Sequence, residues 1–331
     1  MSYEPHNVLI TGGAGFIGTN FVRHWLEQPR EGRVIVLDAL TYAGNAASLD
    51  GLARNPRYEF VRADICDERT VRDLIQTQRI DTLVHFAAES HVDRSVRDAS
   101  IFVETNVLGT QRLLDAALRS GVKRFVHVST DEVYGSIDEG SWDETRPLEP
   151  NSPYSASKAG SDLIARSYFR THGLNVSITR CSNNYGPYHF PEKVIPLFVT
   201  NLIDDLHVPL YGTGTNIRDW LHVDDHTRGI AMVLVGGSPG EIYNIGGGTE
   251  LSNTELTALL LEATGRNWSY VDRVPDRLGH DLRYSVDISK IQAELGYAPL
   301  VPFASGLADV VQWYRDNRDW WEPLKARAAL V

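Results

Sequence analysis

Cysteine is almost absent from this chain. Among 331 residues only Cys66 and Cys181 occur, and the first residues carry no apolar signal segment. Two isolated cysteines exclude both a disulfide framework and a cysteine-ligated zinc site. We therefore expect no bound metal and a reducing, cytoplasmic location.

Positive charge and long apolar runs are also scarce. Lysine and arginine together number 32 against 43 acidic residues, which gives a net charge of -11. Nucleic-acid binding depends on a basic surface, and a membrane helix needs roughly 18 uninterrupted apolar residues. The composition therefore argues against nucleic acid and membrane as partners. It favours a small-molecule substrate, and any phosphate must be held by a few local cations.

Short apolar runs do alternate regularly with amphipathic stretches. Six runs are expected to be strands: Val8 to Thr11, Val34 to Asp38, Tyr58 to Arg62, Thr82 to Ala87, Phe125 to Ser129 and Val176 to Arg180. Apolar runs of this length, separated by helical patterns, are typical of buried parallel strands joined by helical crossovers. The sequence therefore predicts an α/β fold with a doubly wound parallel sheet of the Rossmann type.

The regular pattern weakens after Asn184, where several prolines interrupt it. We expect a second, smaller substrate-binding lobe in this part of the chain. A strand near Leu221, the helix after Asp225 and a strand from Ile242 to Ile245 are regular enough to return to the main sheet. The predicted division is therefore discontinuous. Residues 1–182 plus about 221–250 form the cofactor-binding domain, and residues about 183–220 plus 251–331 form the substrate lobe.

A glycine-rich turn follows the first predicted strand and opens a helix. Gly12, Gly15 and Gly18 occupy it, and such a turn lets the backbone approach a pyrophosphate while the helix N-terminus favours negative charge. Asp38 ends the second strand, where a carboxylate accepts hydrogen bonds from ribose hydroxyls and repels a 2′-phosphate. The turn predicts dinucleotide binding, with NAD favoured over NADP.

A second acidic position follows the third strand. Asp64 and Ile65 are expected to flank the adenine of the cofactor. The alternative for Asp64 is that it caps the helix that follows.

Tyr154 and Lys158 are four residues apart, just after Pro153 in a predicted first helical turn. Their side chains should therefore share one helix face. A neighbouring ammonium and a nicotinamide cation are expected to lower the tyrosine pKa from its usual value of about 10. The pair predicts a phenolate base for hydride-transfer chemistry.

Thr130, Asp131 and Glu132 follow the fifth predicted strand. In open α/β sheets ligands bind beyond the carboxyl ends of the strands, which is where these side chains fall. Two adjacent carboxylates imply a chemical step beyond hydride transfer. Burial beside Glu132 is expected to raise the pKa of Asp131 and keep it protonated. The alternative is that the acidic pair caps or solvates a loop.

One histidine-rich segment resembles a metal site only superficially. His222, Asp224, Asp225 and His226 have suggestive spacing. We expect no metal there, because Asp224 or Asp225 is more simply explained as a helix cap and no third ligand is evident.

Several longer motifs carry a family resemblance. Besides the glycine turn, they are Phe86 to Asp93, Asn106-Val-Leu-Gly, Ser129 to Gly135, Tyr154-Ser-Ala-Ser-Lys158, Asn183 to Pro187, Arg218-Asp-Trp, and Arg277-Leu-Gly-His280-Asp281. Together they resemble the extended short-chain dehydrogenase/reductase superfamily, and within it the dTDP-glucose 4,6-dehydratases. The resemblance extends from the N-terminus to about Tyr314. Leu278 departs from it, because the family usually carries proline there.

The resemblance implies a three-step reaction. Tyr154, aided by Thr130, takes the C4 hydroxyl proton of a hexose while hydride moves to NAD. The ketone acidifies C5, so Glu132 removes the C5 proton and Asp131 protonates the departing C6 hydroxyl. Hydride then returns from NADH to C6 and a proton to C5, which gives a 4-keto-6-deoxy sugar and regenerates NAD.

The resemblance also implies two sets of binding residues. Cofactor contacts beyond those above, Tyr154 and Lys158 among them, are expected at Phe16, Ile17, Tyr42, Ala87, Ala88, Ser90, Thr105 and Asn184. Substrate contacts are expected at Ser90, His91, Thr130, Asn183, Glu192, Lys193, Pro209, Tyr211, Arg218, Asn253, Arg277, His280 and Tyr284. In this set the cations would hold the diphosphate, and Pro209 and Tyr211 would flank the thymine.

Two long helical stretches, about Ala99 to Arg119 and Pro153 to His172, carry apolar residues on more than one face. By resemblance they predict a homodimer.

Three alternatives to this function stay open on the sequence. The first is a nucleotide-sugar 4-epimerase, which lacks the carboxylate pair. The second is a 4,6-dehydratase of another nucleotide-hexose. The third is a non-catalytic NAD-binding sensor, which would be expected to lose Tyr154, Lys158 or the carboxylates.

Overall fold

The fold is a seven-stranded parallel sheet covered by helices on both faces, with smaller sheets beside it, in a computed structural model that describes residues 3–276 and 279–328. The main strands are β1 Val8–Thr11, β2 Val34–Asp38, β3 Tyr58–Arg62, β4 Thr82–His85, β5 Arg124–Thr130, β6 Val176–Cys181 and β10 Ile242–Ile245. Their order is β10-β6-β5-β4-β1-β2-β3, and every neighbouring pair is parallel. The predicted doubly wound sheet is confirmed.

The helices divide between the two faces of this sheet. Those of the sheet region are α1 Phe16–Glu27, α2 Glu68–Thr77, α3 Val92–Arg97, α4 Ser100–Phe102, α5 Thr110–Arg119, α6 Pro153–His172 and α8 Val223–Gly236. A π-helical segment joins α4 to α5, and a 3-10 helix, Ala46–Leu52, follows β2. Buried residues of α1 and α8 share one apolar core, and those of α2, α5 and α6 share another. Apolar side chains therefore exclude water from both faces.

The remaining elements lie outside the main sheet, and most of them share a third apolar core. They are β7 Asn183–Tyr185, α7 Val194–Ile203, β8 Val208–Tyr211, β9 Ile217–His222, β11 Glu250–Ser252, α9 Asn253–Thr264, a 3-10 turn Trp268–Tyr270, β12 Val271–Val274, α10 Ser289–Leu295, α11 Phe303–Asp316 and α12 Arg318–Ala328. β7, β9 and β11 form one sheet, and β8 pairs with β12 in another. Helices α7, α9, α11 and α12 supply most of the buried apolar residues of this third core, whereas Ile291 of α10 is buried in the core shared by α1 and α8.

One sequence prediction about these elements was wrong. The strand that contains Leu221 pairs with β7 and β11, so it does not return to the main sheet. The strand from Ile242 to Ile245 does join the main sheet beside β6, and α8 packs against it as expected. None of the described helices has the length and apolarity needed to cross a bilayer.

The strand order reverses between β1 and β4. Chains leaving the carboxyl ends of these two strands turn to opposite sides and open a crevice, which is where ligands bind in doubly wound folds. The glycine turn follows β1, and Ala87 and Ala88 follow β4. The fold therefore places the predicted cofactor residues at this crevice.

A matched pair of leucines tests how far the main sheet supports the fold. Leu83, in β4, is 0% exposed, whereas Leu300 is 70% exposed. We expect Leu83→Ala to lower the free energy of unfolding by about 2–5 kcal/mol, because it leaves a cavity between strand and helices. Leu300→Ala should change it by less than about 0.5 kcal/mol. Urea unfolding at a fixed protein concentration measures both, and equal effects would contradict the assigned core.

Candidate active site

The turn after β1 requires glycine at two positions. Gly12 has a φ of +70°, and a Cβ there would lie 2.4 Å from the backbone nitrogen of Ala87. A Cβ on Gly18 would lie 2.2 Å from the carbonyl oxygen of Gly12. The turn and the start of α1 therefore pack against the end of β4. Gly15 gives α1 no side-chain cap, so N–H groups of the first helical turn face the crevice.

Asp38 is fixed at the end of β2. One carboxylate oxygen accepts a hydrogen bond from the Ala14 N–H at 2.9 Å, and the other accepts one from the Leu40 N–H at 2.8 Å. Burial raises the pKa of Asp38, and these two bonds oppose that effect. Asp64 lines the same crevice and does not cap α2, because Asp67 does so. The capping alternative for Asp64 is therefore wrong.

A single cleft brings together nearly all the residues predicted from the sequence. The expected cofactor residues that line it are Gly12, Gly15, Phe16, Ile17, Gly18, Asp38, Tyr42, Asp64, Ile65, Ala87, Ala88, Ser90, Thr105, Tyr154, Lys158 and Asn184. The expected catalytic and substrate residues that line it are Thr130, Asp131, Glu132, His91, Asn183, Glu192, Lys193, Pro209, Tyr211, Arg218, Asn253 and His280. Arg277 lies outside the described residues, as does Leu278.

Tyr284 is the exception among the described residues. It is buried and does not line the cleft; its hydroxyl donates to Asp281, and the Arg218 guanidinium lies 4.5 Å from the centre of its ring. Its direct contact with substrate therefore stays a prediction, and its ring packs against Arg218.

Helix α6 presents the tyrosine and lysine to the cleft. Ser152 caps its N-terminus in a reciprocal pair with Ser155, and Pro153 occupies the first turn. Tyr154 and Lys158 are both buried one turn apart, and the Lys158 ammonium donates to the Val128 carbonyl at 2.8 Å. The predicted helix and shared face are confirmed.

The protein's own groups raise the pKa of Tyr154, and the lowering expected with a nicotinamide cation in place stays a prediction. Burial raises it well above its usual value, the charges of Glu132 and Asp131 add to that rise, and a hydrogen bond with Thr130 opposes it. Burial also lowers the pKa of Lys158 to about 8, although Asp162 counteracts this. The side chains of the site therefore leave Tyr154 as a neutral phenol.

Asp131 and Glu132 begin a 3-10 helix, Asp131–Tyr134, directly after β5. Thr130 caps this helix by accepting from the Glu132 N–H at 3.3 Å, so the acidic pair does not serve as the cap. Asp131 is 3% exposed, and burial followed by the charge of Glu132 raises its pKa well above the usual value. The expected raised pKa of Asp131 is confirmed, and the solvated-loop alternative is wrong.

A buried ionic network lies behind Lys158, and the sequence analysis missed it. Asp162, one turn further along α6, binds the Arg180 guanidinium at 2.8 Å and lies 3.3 Å from His127. The spacing of four residues between Lys158 and Asp162 was the one signal in the sequence. The partners of Asp162 lie in β5 and β6, which are distant from it in the chain. The network holds a negative charge close to the Lys158 ammonium.

Asn106 fixes the other wall of the cleft. Its side-chain oxygen accepts from the Glu89 N–H at 2.9 Å, and its amide donates to the Glu89 carbonyl and to Ser157. It lies in the π-helical segment Val103–Gly109. This segment therefore ties the loop after β4 to α6.

The substrate end carries paired charges. The Lys193 ammonium donates to the Ser90 carbonyl at 2.9 Å, and His91 lies 3.5 Å from Glu192. Arg218 is buried and donates to the carbonyl of Asp281 at 3.0 Å. These groups present local cations within an acidic protein.

His189 is a further residue that the sequence analysis missed. Its ring stacks on Phe16 with centroids 4.0 Å apart, and burial holds its pKa well below the usual range. It lines the cleft as a neutral ring. Only its position beside the Asn183 to Pro187 motif pointed to it.

The histidine-rich segment around α8 is structural. His222 caps the helix by accepting from the Asp224 N–H, and Asp225 accepts from the backbone of Leu300, so the expected aspartate cap was wrong. His226 bonds to Asn184 at 2.9 Å. Within residues 3–276 and 279–328, no group of three or more ligating side chains is arranged to hold a metal ion.

Known proteins are similar in sequence to this chain over most of its length. Residues 9–310 match the family model described as GDP-mannose 4,6 dehydratase. A dTDP-glucose 4,6-dehydratase of Streptomyces antibioticus is 61% identical over 328 residues, which cover 98% of this chain and 96% of that protein. The dTDP-glucose 4,6-dehydratase of Escherichia coli is 45% identical, with 95% of each chain covered.

Solved structures give the same relationship. DesIV, a dTDP-glucose 4,6-dehydratase of Streptomyces venezuelae solved with NAD bound, is 62% identical and superposes with a TM-score of 0.94 over 96% of this chain and 99% of its own. A UDP-glucose 4-epimerase of Thermotoga maritima is 31% identical, with a TM-score of 0.88 over 94% and 99%. The chain therefore belongs to the GDP-mannose 4,6 dehydratase family and, within it, to the dTDP-glucose 4,6-dehydratases.

Proposed function

We propose that this protein is a hydro-lyase that converts dTDP-glucose to dTDP-4-keto-6-deoxyglucose with NAD as its cofactor. One observation carries the proposal: Tyr154 and the carboxyls of Asp131 and Glu132 line the same cleft as the glycine turn. A 4-epimerase needs the tyrosine and the turn but has no use for an acid and a base beside them. Relatives up to 61% identical that are named dTDP-glucose 4,6-dehydratase support the same conclusion.

The cleft fits NAD. Gly12 and Gly18 leave no room for side chains where a pyrophosphate meets the start of α1, and the Asp38 carboxylate is held at the ribose end. When bound, NAD supplies a hydride acceptor for C4, a hydride donor for C6 and a positive charge that lowers the Tyr154 pKa. The chain supplies the proton transfers.

Tyr154 and Thr130 act at C4. Tyr154 accepts the hydroxyl proton, and Thr130, which interacts with Tyr154, helps to orient that hydroxyl. Lys158, whose pKa of about 8 keeps it mostly protonated at neutral pH, stabilises a phenolate. Asp162 lies behind Lys158 and favours its charged form.

Asp131 and Glu132 remove water across C5 and C6. A ketone at C4 acidifies the C5 hydrogen, so a carboxylate such as Glu132 suffices to remove it. Hydroxide is a poor leaving group, so Asp131 must be protonated in order to donate a proton to the C6 oxygen. Its raised pKa provides that proton near neutral pH.

The nucleotide end is held by the second lobe. Arg218 and Lys193 line the cleft and would hold the diphosphate, and Pro209 and Tyr211 line it where a thymine would stack. We propose that residues 1–182 plus about 221–250, which include every strand of the main sheet, bind NAD, and that residues about 183–220 plus 251–331 bind the nucleotide sugar.

We also propose a cytoplasmic location, which the two free cysteines support.

The reaction can be tested directly. We expect incubation with dTDP-glucose, without added reductant, to give a product that forms the ultraviolet chromophore of a 4-keto-6-deoxy sugar in alkali. Tyr154→Phe should abolish it, because the C4 proton then has no acceptor. UDP-glucose and GDP-mannose serve as parallel substrates. A chromophore with one of these and none with dTDP-glucose would move the substrate assignment, and epimerisation without chromophore would refute dehydration.

Two buried aspartates should affect stability with opposite signs. An unfolded aspartate has a pKa of about 3.9. Because the native pKa of Asp131 is raised, the unfolded chain ionises first as pH rises, so wild type loses stability above about pH 4. We expect Asp131→Asn to be more stable than wild type near neutral pH, with no difference near pH 3.

Asp162→Asn is the matched control. Although burial alone would raise the pKa of Asp162, Arg180 and His127 hold it at about 2. Its stabilisation is present above the unfolded pKa and is lost as pH falls through about 2. Asp162→Asn should therefore destabilise near neutral pH, and the deficit should shrink on acidification. Thermal unfolding across this pH range measures both variants, and changes of the same sign would contradict the assignment.

We also propose a homodimer built on the segment from α3 to α5 and on α6. Large apolar side chains remain exposed there: Val96, Ile101, Val103, Leu108 and Leu163. Contiguous exposed apolar surface on a folded chain marks an interaction site. The two helical stretches identified in the sequence thus offer a common face for a second copy.

Charge substitution tests this dimer. We expect Val103→Glu combined with Leu163→Glu to yield a monomer, because two like charges would be buried against each partner. Leu282→Glu and Leu300→Glu, on exposed residues outside α3 to α6, are the controls and should leave the mass unchanged. Sedimentation velocity distinguishes the states. A dimer that survives the first pair of substitutions would place the interface elsewhere.

A further inference from the structure

Asp131 carries an oxygen with no partner. Its Oδ1 accepts from the Thr130 hydroxyl at 3.3 Å, whereas its Oδ2 is buried and has no hydrogen-bond partner among the described residues. An ionised carboxylate with one unsatisfied buried oxygen is costly. A protonated acid that directs its O–H into the cleft is not. The geometry therefore suits the protonated form, and something must keep the proton there.

Asp219 belongs to the Arg218-Asp-Trp motif, but the mechanism above gives it no role. It is 2% exposed, and its two oxygens accept from the Gly247 N–H at 3.0 Å and the Thr249 N–H at 2.8 Å. Its neighbours Arg218 and Trp220 line the cleft, whereas Asp219 does not. It therefore faces the main sheet from behind the cleft wall.

Strand register places this carboxylate close to Asp131. Thr130, the last residue of β5, pairs with Cys181 of β6, and Cys181 pairs with Ile245 of β10. Adjacent strands are about 4.8 Å apart, so the three strand ends lie side by side. Asp131 follows the first of these ends and the Gly247 loop follows the third. Asp219, bound to that loop, therefore lies within electrostatic range of Asp131.

The charged groups around Asp131 come from several elements. Glu132 is on its own 3-10 helix, and Arg218 and Asp219 come from β9. Tyr154 of α6 and Cys181 of β6 are also close, and burial raises the pKa of both so that they stay neutral. The two carboxylates favour the protonated acid, and Arg218 opposes them.

We infer that Asp219 is a positioning residue that keeps the proton on Asp131 and so sets the upper pH limit of the elimination step. Burial raises the pKa of Asp219, and the two backbone N–H donors of Gly247 and Thr249 oppose that rise and favour its negative charge. The role of Asp219 in the elimination step rests on the proposed function, but its effect on the protonation of Asp131 does not. The competing explanation is that Asp219 only fastens the Gly247 loop.

Infrared spectroscopy separates the two explanations without substrate. The C=O band of a protonated carboxylic acid that is present in wild type and absent in Asp131→Asn reports Asp131 directly, and its pH midpoint is the measurement. We expect Asp219→Asn to move that midpoint down by about one pH unit, because it removes a nearby negative charge. Asp219→Glu, which keeps the charge, should retain a midpoint near that of wild type.

Asp225→Asn is the matched control. Asp225 is also buried and also accepts two backbone N–H groups, those of Leu300 and Val301, but it is not among the charges that act on Asp131. It also removes a buried carboxylate that is bonded to the backbone of a loop, but it should not move the midpoint. If Asp219→Asn does not fold, Asp219→Ser provides a second neutral variant. An unchanged midpoint in a folded neutral variant would overturn the inference, as would a wild-type spectrum without the band.

Turnover gives a second readout. With dTDP-glucose, kcat of Asp219→Asn should fall about tenfold relative to wild type at the alkaline end of the profile and approach it at the acidic end. A merely structural role predicts a loss that is uniform with pH, and that result would overturn the inference. Absence of dehydration by the wild type would instead refute the proposed function, while the infrared midpoints would still decide the role of Asp219.

Discussion

Exclusion of water at the carboxyl edge of the sheet is the constraint on which the rest of the site depends. It raises the pKa of Asp131, lowers that of Lys158 and leaves Tyr154 neutral. Each shift follows from removing a charge from water, and neighbouring charges then adjust it. Of these three groups Asp131 is the one whose protonation state at neutral pH differs from that of the free side chain, because an aspartate in water is ionised. The elimination step depends on this difference.

The same scaffold supports other reactions. The UDP-glucose 4-epimerase of Thermotoga maritima superposes with a TM-score of 0.88 at 31% identity, so the fold alone does not identify a reaction. The distinguishing groups here are Asp131 and Glu132, which occupy the short 3-10 helix after β5. Because the helix starts directly at the strand end, two side chains suffice to add an elimination step to an oxidation.

Local patterns made much of this structure predictable. The strands of the main sheet could be predicted because each is a short apolar run that is visible in the local sequence. The spacing of four residues between Tyr154 and Lys158 likewise predicted that they share one helix face. The prediction that the strand containing Leu221 returns to the main sheet was wrong. This strand pairs with β7 and β11, and such pairing is decided by residues far apart in the chain. The rise in the Tyr154 pKa within the protein alone could not be predicted from its spacing to Lys158, because burial and the charges of Glu132 and Asp131 cause it.

Arg218 has a consequence for the timing of the reaction. Among the charges that act on Asp131, its guanidinium favours the ionised carboxylate. A diphosphate seated on Arg218 would cancel that influence, so arrival of the nucleotide sugar would itself draw a proton onto the acid. Asp131 would then be protonated, and able to assist loss of the C6 hydroxyl, only while the nucleotide sugar is bound. Substrate recognition and acid strength would thus be two outcomes of one electrostatic contact.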